Sequence, residues 1–223
     1  MRRSRIPVRQ RSLPALTLVA LLACAPSEGG GGERPFAATG DAATPHGLRG
    51  RVLPGPLTKP DVTLTDTRGQ PFDLRRETDG YLTLLFFGYT FCPDICPIHM
   101  ANLAAVLREL RPAVAQRVKV VFVTTDPDRD TPERLGTWLA NFDRSFIGLT
   151  GDTATVNAAQ RALYLPLPQI GPADSAGSYL VGHAAAVVAF SPDGPARVMY
   201  PFGIRQADWA HDIPKLLEVS WGD

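Results

Sequence analysis

YLTLLFFGYTFCPDICPIHM, residues 81–100, decides the fold. Its first nine residues form an almost unbroken apolar run, the pattern of a strand buried on both faces at the centre of a sheet. The run opens directly onto two cysteines, Cys92 and Cys96, each followed by a proline. Pro97 has no amide hydrogen, so it fits only in the first turn of a helix. The helix therefore starts near Cys96, and Cys92 lies on the turn before it. Open α/β sheets carry their sites beyond the carboxyl ends of their strands, and this is such a place.

The flanking sequence supplies the rest of the sheet. VTLTDTRGQPFDL (62–74) alternates around Arg68 and Gly69 and reads as a hairpin. RVKVVFVTTD (117–126) is a second buried strand, and FIGLTG (146–151) a short one. ANLAAVLREL (101–110) has helical spacing at Leu103, Val106, Leu107 and Leu110. TPERLGTWLANF (131–142) is a helix with Asp130 or Thr131 as cap and Pro132 in its first turn. DTATVNAAQRAL (152–163) is a helix opened by an aspartate cap. Residues 165–182 read as irregular, 183–202 as two strands joined at Pro192-Asp193-Gly194, and 205–219 as a last helix containing Pro214. Strands alternating with helices predict a sheet covered on both faces.

Both sulfurs of the CPDIC stretch fall near the positive end of a helix dipole, which favours thiolate over thiol. A thiolate is a nucleophile and also a soft-metal ligand, so the pair can serve redox exchange or metal binding. Thioredoxin-type redox motifs separate their cysteines by two residues. Three residues intervene here, which still permits a disulfide and also leaves room for an ion. An ion on two thiolates needs a third ligand. His99 is nearest, although Pro97 places Cys92 off the helix and makes a surface histidine the plainer reading. His183 precedes the apolar stretch AAAVVAF and follows Gly182, so it can face a neighbouring strand's exit loop or serve as an ordinary structural histidine. His46 and His211 read as solvated or capping residues. TTDPDRDTPE (124–133) carries Asp126, Asp128 and Asp130. It is not a calcium loop, because Thr131 and Thr137 stand where glycine and glutamate are required. Its acids are candidates to support the cysteines from a neighbouring strand end.

The N-terminus bears on the compartment. Five arginines precede LPALTLVALLA (13–23). Eleven helical residues span roughly 16 Å, about half a bilayer core, so the run reads as an export signal and not as a membrane span. It ends in LLAC, which resembles a bacterial lipobox with Cys24 as the acylated residue. The expected organisation is a signal over 1–24, a Gly-, Ala- and Pro-rich tether over 25–50, and a folded domain over 51–223 outside the cytoplasm on the periplasmic side. The formal net charge of +1 over 223 residues offers no basic excess for nucleic acid. Three cysteines are too few for a disulfide-stapled mini-protein.

GYTFCPDICP, TTDPDRDTPE and GHAAAVVAFSPDG, in this order and at these spacings, resemble the Sco/SenC family over about residues 55–220. The resemblance implies a thioredoxin-like fold: a central mixed sheet flanked by helices, an N-terminal β-hairpin and an insertion (165–182) before the last hairpin. It implies one copper ion per domain on Cys92, Cys96 and His183, with Asp126 and Asp128 in supporting positions. It also implies a role in assembling the binuclear copper site of cytochrome c oxidase, with the copper-site subunit as partner and another copper carrier or a thiol reductant as further partners. A lipid on Cys24 would stand in for the transmembrane helix of other members. The family equally implies a second reading, a thiol–disulfide oxidoreductase using Cys92 and Cys96 to reduce partner cysteines. One departure stands out: many members carry an acid just before the histidine, where this chain has Gly182. Nothing matches the threonine- and arginine-containing pocket of a peroxidase of related fold.

Overall fold

The computed structural model describes residues 45–221. The expected export signal, the lipid site at Cys24 and most of the tether lie outside them. The last residues assigned to the tether do not behave as one. Leu48 is buried, and the amides of Arg49 and Gly50 both donate to the Asp212 carboxylate. The packed domain therefore begins by Leu48.

The chain runs β1 (Arg51–Leu57), β2 (Thr63–Asp66), β3 (Pro71–Asp73), α1 (Leu74–Glu77), β4 (Leu82–Gly88), α2 (Ile95–Glu109), α3 (Pro112–Ala115) and β5 (Val118–Thr124). It continues with α4 (Pro132–Leu139), β6 (Ile147–Thr150), α5 (Thr153–Ala162), β7 (Gln169–Ile170), β8 (Val181–Gly182), β9 (Val187–Phe190), β10 (Ala196–Tyr200) and α6 (Gln206–Glu218). Eight strands form one mixed sheet in the order β1-β10-β9-β4-β5-β6-β2-β3. β4 pairs parallel with β5, and β5 with β6, while β9 runs antiparallel to β4.

β4 is flanked on both sides and every one of its residues is buried. Successive side chains point to opposite faces of a strand. Leu84 and Phe86 accordingly enter one core, with Cys96, Met100 and Leu103 of α2 and Trp209 and Ile213 of α6. Leu85 and Phe87 enter the other, with Val156 and Ala159 of α5 and Leu163 just after it. Each buried Leu, Ile, Val, Phe or Met among them stabilises the fold by roughly 1.5–3 kcal/mol. The sheet is thus covered on both faces.

The hairpin forms as expected, Thr63 opposite Asp73, and Asp66 fastens its turn by accepting from the amides of Arg68 and Gln70. Thr131 caps α4 and Asp152 caps α5. Asp130, the other candidate cap, is used elsewhere. Pro214 leaves α6 a single helix from Gln206 to Glu218.

Two features depart from the sequence reading. β1 pairs with β10 although it contains Pro54 and Pro56. Proline cannot donate to a ladder, and β1 tolerates two because it lies at the sheet's edge and its register shifts between Val52 and Leu57. The insertion is not wholly irregular: β7 and β8 make a small ladder, Gln169 opposite Gly182 and Ile170 opposite Val181.

Candidate metal centre

The site stands where β4 and β5 end side by side. Gly88 is the last residue of β4, and it must be glycine. A Cβ there would lie 2.6 Å from Cys96 Sγ and 2.8 Å from the Phe86 ring. Its missing side chain is the space that Cys96 occupies. The chain then turns through Tyr89, with the Cys92 amide donating to the Tyr89 carbonyl at 3.2 Å. α2 begins at Ile95, one residue before the position that Pro97 predicts for the start.

His183 arrives from the far side, 87 positions after Cys96 in sequence. It lies on the stretch between β8 and β9, four residues before β9 begins. Its Nε2 is 3.4 Å from Cys96 Sγ and 3.7 Å from Cys92 Sγ. The three donor atoms lie within 4.8 Å of one another, and they form the one such metal-ligating cluster among the described residues. Cys96 is buried, while Cys92 and His183 are half-buried.

Two aromatic edges bracket the His183 ring, with Phe86 and Tyr89 each at 5.7 Å between centroids. Its Nδ1 lies 2.9 Å from the Ala184 carbonyl. A carbonyl only accepts, so Nδ1 carries the proton and Nε2 presents its lone pair to the sulfurs. The backbone thus orients the imidazole, since Gly182 before it has no side chain with which to do so.

The two thiols differ. Cys92 is pushed down to about 4, chiefly because the Cys96 thiol donates to it; the Cys96 and Asp94 amides add to the effect. Burial pushes Cys96 up, and the neighbouring Cys92 thiolate pushes it further. The pair therefore rests as a Cys92 thiolate holding the proton of Cys96. An ion held between them would have to displace that proton.

The acidic stretch is divided more sharply than the sequence shows. Asp130 is fully buried and accepts from the Thr90 amide at 2.9 Å, the Thr90 hydroxyl at 2.5 Å and the Thr124 hydroxyl at 2.7 Å. It stitches the cysteine turn to the end of β5. Asp126 turns away from that turn: it pairs with Arg129 at 2.5 Å and accepts from the Tyr179 hydroxyl at 3.0 Å. Arg129 donates to the Tyr179 carbonyl and stacks 3.5 Å over its ring, with Phe91 at 4.7 Å. Asp126 thereby fastens the 165–182 insertion beside the site. Asp128 is exposed and outside the donor cluster. Asp130 bonds the cysteine turn directly through Thr90, whereas Asp126 reaches it only through Arg129, which lies over the Tyr89 and Phe91 rings.

His99 corrects the sequence reading in another way. It is buried, not on the surface, and its Nε2 lies 3.1 Å from the Ala185 carbonyl. Burial holds its pKa below the ordinary value. His46 is exposed and packs edge-on against Trp221, and His211 pairs with Asp212 at 2.7 Å.

Two sulfurs and one imidazole nitrogen, one sulfur already ionised, form a soft donor set that fits copper. A family model described as SCO1/SenC matches residues 53–218, about three-quarters of the chain. The chain belongs to the SCO1/SenC family. A Stutzerimonas stutzeri protein named for copper binding is 34% identical over 146 residues, 66% of this chain and 70% of that protein. The mitochondrial SCO2 homolog of Mus musculus is 36% identical over 135 residues, 60% of this chain but 52% of its own length. The Sco domain here thus spans about half of that mitochondrial relative. Among solved structures, copper-bound ScoI of Bradyrhizobium japonicum matches with a TM-score of 0.63 and 30% identity, covering 73% of this chain and 98% of that one. Apo Sco1 of Thermus thermophilus matches with a TM-score of 0.67 and 31% identity, covering 76% and 97%. The architecture is the thioredoxin-like fold of the Sco proteins.

Proposed function

We propose that this Sco domain binds one copper ion on Cys92, Cys96 and His183 and passes it to the copper-site subunit of cytochrome c oxidase outside the cytoplasm. The convergence of those three donor atoms within 4.8 Å carries the reading. Delivery needs a cargo that can leave. The site suits this because Cys92 and His183 are half-buried at a strand-end surface, while Cys96 alone is enclosed. His183 Nε2 is held as an acceptor, Cys92 is ionised, and Cys96 has a single proton to lose. The copper-bound ScoI relative and the Sco family's association with oxidase assembly support the copper and the recipient.

In the same proposal the chain is held at the periplasmic face of a membrane by a lipid on Cys24, with residues 25–47 as the tether. The lipobox-like LLAC after the apolar run of 13–23 supports this. Among the described residues no helix is long and apolar enough to cross a membrane.

The ionised Cys92 beside a protonated Cys96 favours a second reading, thiol–disulfide exchange with partner cysteines. The Cys92 thiolate would attack a partner disulfide, forming a mixed disulfide and releasing one partner thiolate. Cys96, giving its proton to that thiolate, would then attack Cys92 Sγ. The products are a Cys92–Cys96 disulfide and a fully reduced partner, two electrons having moved.

Anaerobic titration of the reduced protein with Cu(II) tests the first reading, following the thiolate-to-copper absorption. One equivalent should produce the band, and His183→Ala should lose or shift it. Oxidation of both cysteines with no stable complex, equal in parent and His183→Ala, would leave the exchange reading standing alone.

A further inference from the structure

The stretch that carries His183 has no regular structure until β9 begins at Val187. Two of its carbonyls are nevertheless occupied: Ala184 accepts from His183 itself and Ala185 accepts from His99. His99 sits on α2, three residues after Cys96, so the two share a helix face. Its ring packs 4.9 Å from Phe86 and 5.5 Å, edge-on, from Phe202, and Phe86 in turn touches His183. A carbonyl only accepts, so the His99 Nε2 must be protonated and has no lone pair for an ion.

We propose that His99 is a positioning residue for the metal centre: by donating to the Ala185 carbonyl it locks the His183 stretch to the helix that carries Cys96. Without that bond the four residues from His183 to Ala186 are tied to α2 only by apolar contact and by the reach of the His183 imidazole itself to Cys96. The imidazole then spends part of its time away from the sulfurs. The role rests on the three-donor copper reading, and it explains why a polar ring is buried beside the site without being a ligand. Outer groups that orient a metal's ligands are each worth about ten- to a hundredfold in affinity.

The experiment is a double-mutant cycle on the full-length reduced protein, with copper affinity measured by competition and the Cu(II) absorption recorded. His99→Phe keeps a ring between Phe86 and Phe202 and removes the donor. It should weaken binding about ten- to a hundredfold and shift the absorption toward that of His183→Ala. His99→Gln places an amide N–H at the same reach and should recover most of the affinity. In a His183→Ala background, His99→Phe should change affinity by no more than about twofold, because no imidazole remains to position. Parent affinity and absorption in a folded His99→Phe protein would overturn the proposal. So would an equal loss in both backgrounds, which marks general destabilisation. If His99→Phe does not fold, His99→Gln and the metal-free parent decide: its nitrogen-15 spectrum should show a slowly exchanging His99 Nε2 proton coupled to the Ala185 carbonyl, and absence of that coupling overturns the role. A parent that binds no copper sinks the metal reading instead and leaves the same coupling to judge the hydrogen bond.

Discussion

Two buried polar clusters occupy different parts of this domain, and they are built to opposite ends. Around Asp212, which is fully buried, the carboxylate accepts from the Arg49 and Gly50 amides, the Tyr200 hydroxyl and His211. Every lone-pair direction has a donor, and the cluster fastens the chain entering β1 to α6. Around Cys96, two sulfurs and an imidazole have mainly one another, with Nε2 at 3.4 and 3.7 Å from the sulfurs, and aromatic rings flank the imidazole. The first cluster is closed and has nothing left to bind. The second has soft donors pointed at a common centre and can still gain by taking an ion. A satisfied network makes structure, and a convergent set of under-used donors makes a site.

The largest effect should come from breaking the closed cluster. Asp212→Ala strands the buried Gly50 amide and Tyr200 hydroxyl, each costing about 1–3 kcal/mol when left unmatched, and frees the partly buried Arg49 amide. Equilibrium urea unfolding should show a loss of about 3 kcal/mol, with the copper absorption of the remaining folded protein unchanged. Altered copper binding would mean that the two clusters are coupled after all.

Gly88→Ala is expected to have a smaller and mixed effect. The new methyl meets Cys96 Sγ at 2.6 Å. Overpacking of this kind typically costs about 1–3 kcal/mol. It should also move one ligand, so this substitution should lower both the unfolding midpoint and the copper affinity.

The smallest perturbation is pH. The folded pKa of Cys92, about 4, lies below the ordinary value of 9.0. The thiolate is thus present in the folded state and absent from the unfolded state between those values. The stabilisation it brings is complete above the unfolded pKa and disappears as pH falls through about 4. Alkylation of folded, metal-free protein should therefore modify Cys92 at a rate nearly constant from pH 8 to pH 5 and falling near pH 4. Cys96, buried and protonated, should react only on unfolding. Equal alkylation of both thiols, with a rate falling below pH 8, would erase the asymmetry inside the open cluster.

Much of this was legible in the sequence because the relevant signals are local. The apolar run before Cys92 shows no alternation of polar positions, and the hairpin turn declares itself through Gly69. The thiolate-favouring place of the cysteines follows from Pro97 alone. β1 escaped because an edge strand with two prolines has neither alternation nor an apolar run; its pairing with β10 is a tertiary fact. Asp130 escaped because three alternating acids look alike until the β4 and β5 ends lie side by side and only one meets Thr90. The burial of His99 had a signal that went unread. His99, Leu103, Val106 and Leu110 share one helical stripe, and a polar residue on such a stripe needs a partner inside. The Ala185 carbonyl could not be foreseen, since no side-chain pattern marks it.

His183 is 87 positions from Cys96, and this distance would make the proposed metal centre a sensor of its own folding. An unfolded chain keeps the two cysteines as neighbours and loses the imidazole from the group. Copper that requires all three donors recognises only the assembled domain, and it adds about 2.7 kcal/mol of folding free energy when free copper is a hundredfold above the dissociation constant. Any copper held by the unfolded cysteines lowers that figure. Loaded and empty forms should then melt at different temperatures, and under the delivery proposal handing over the ion would return the donor to a looser, more easily unfolded state.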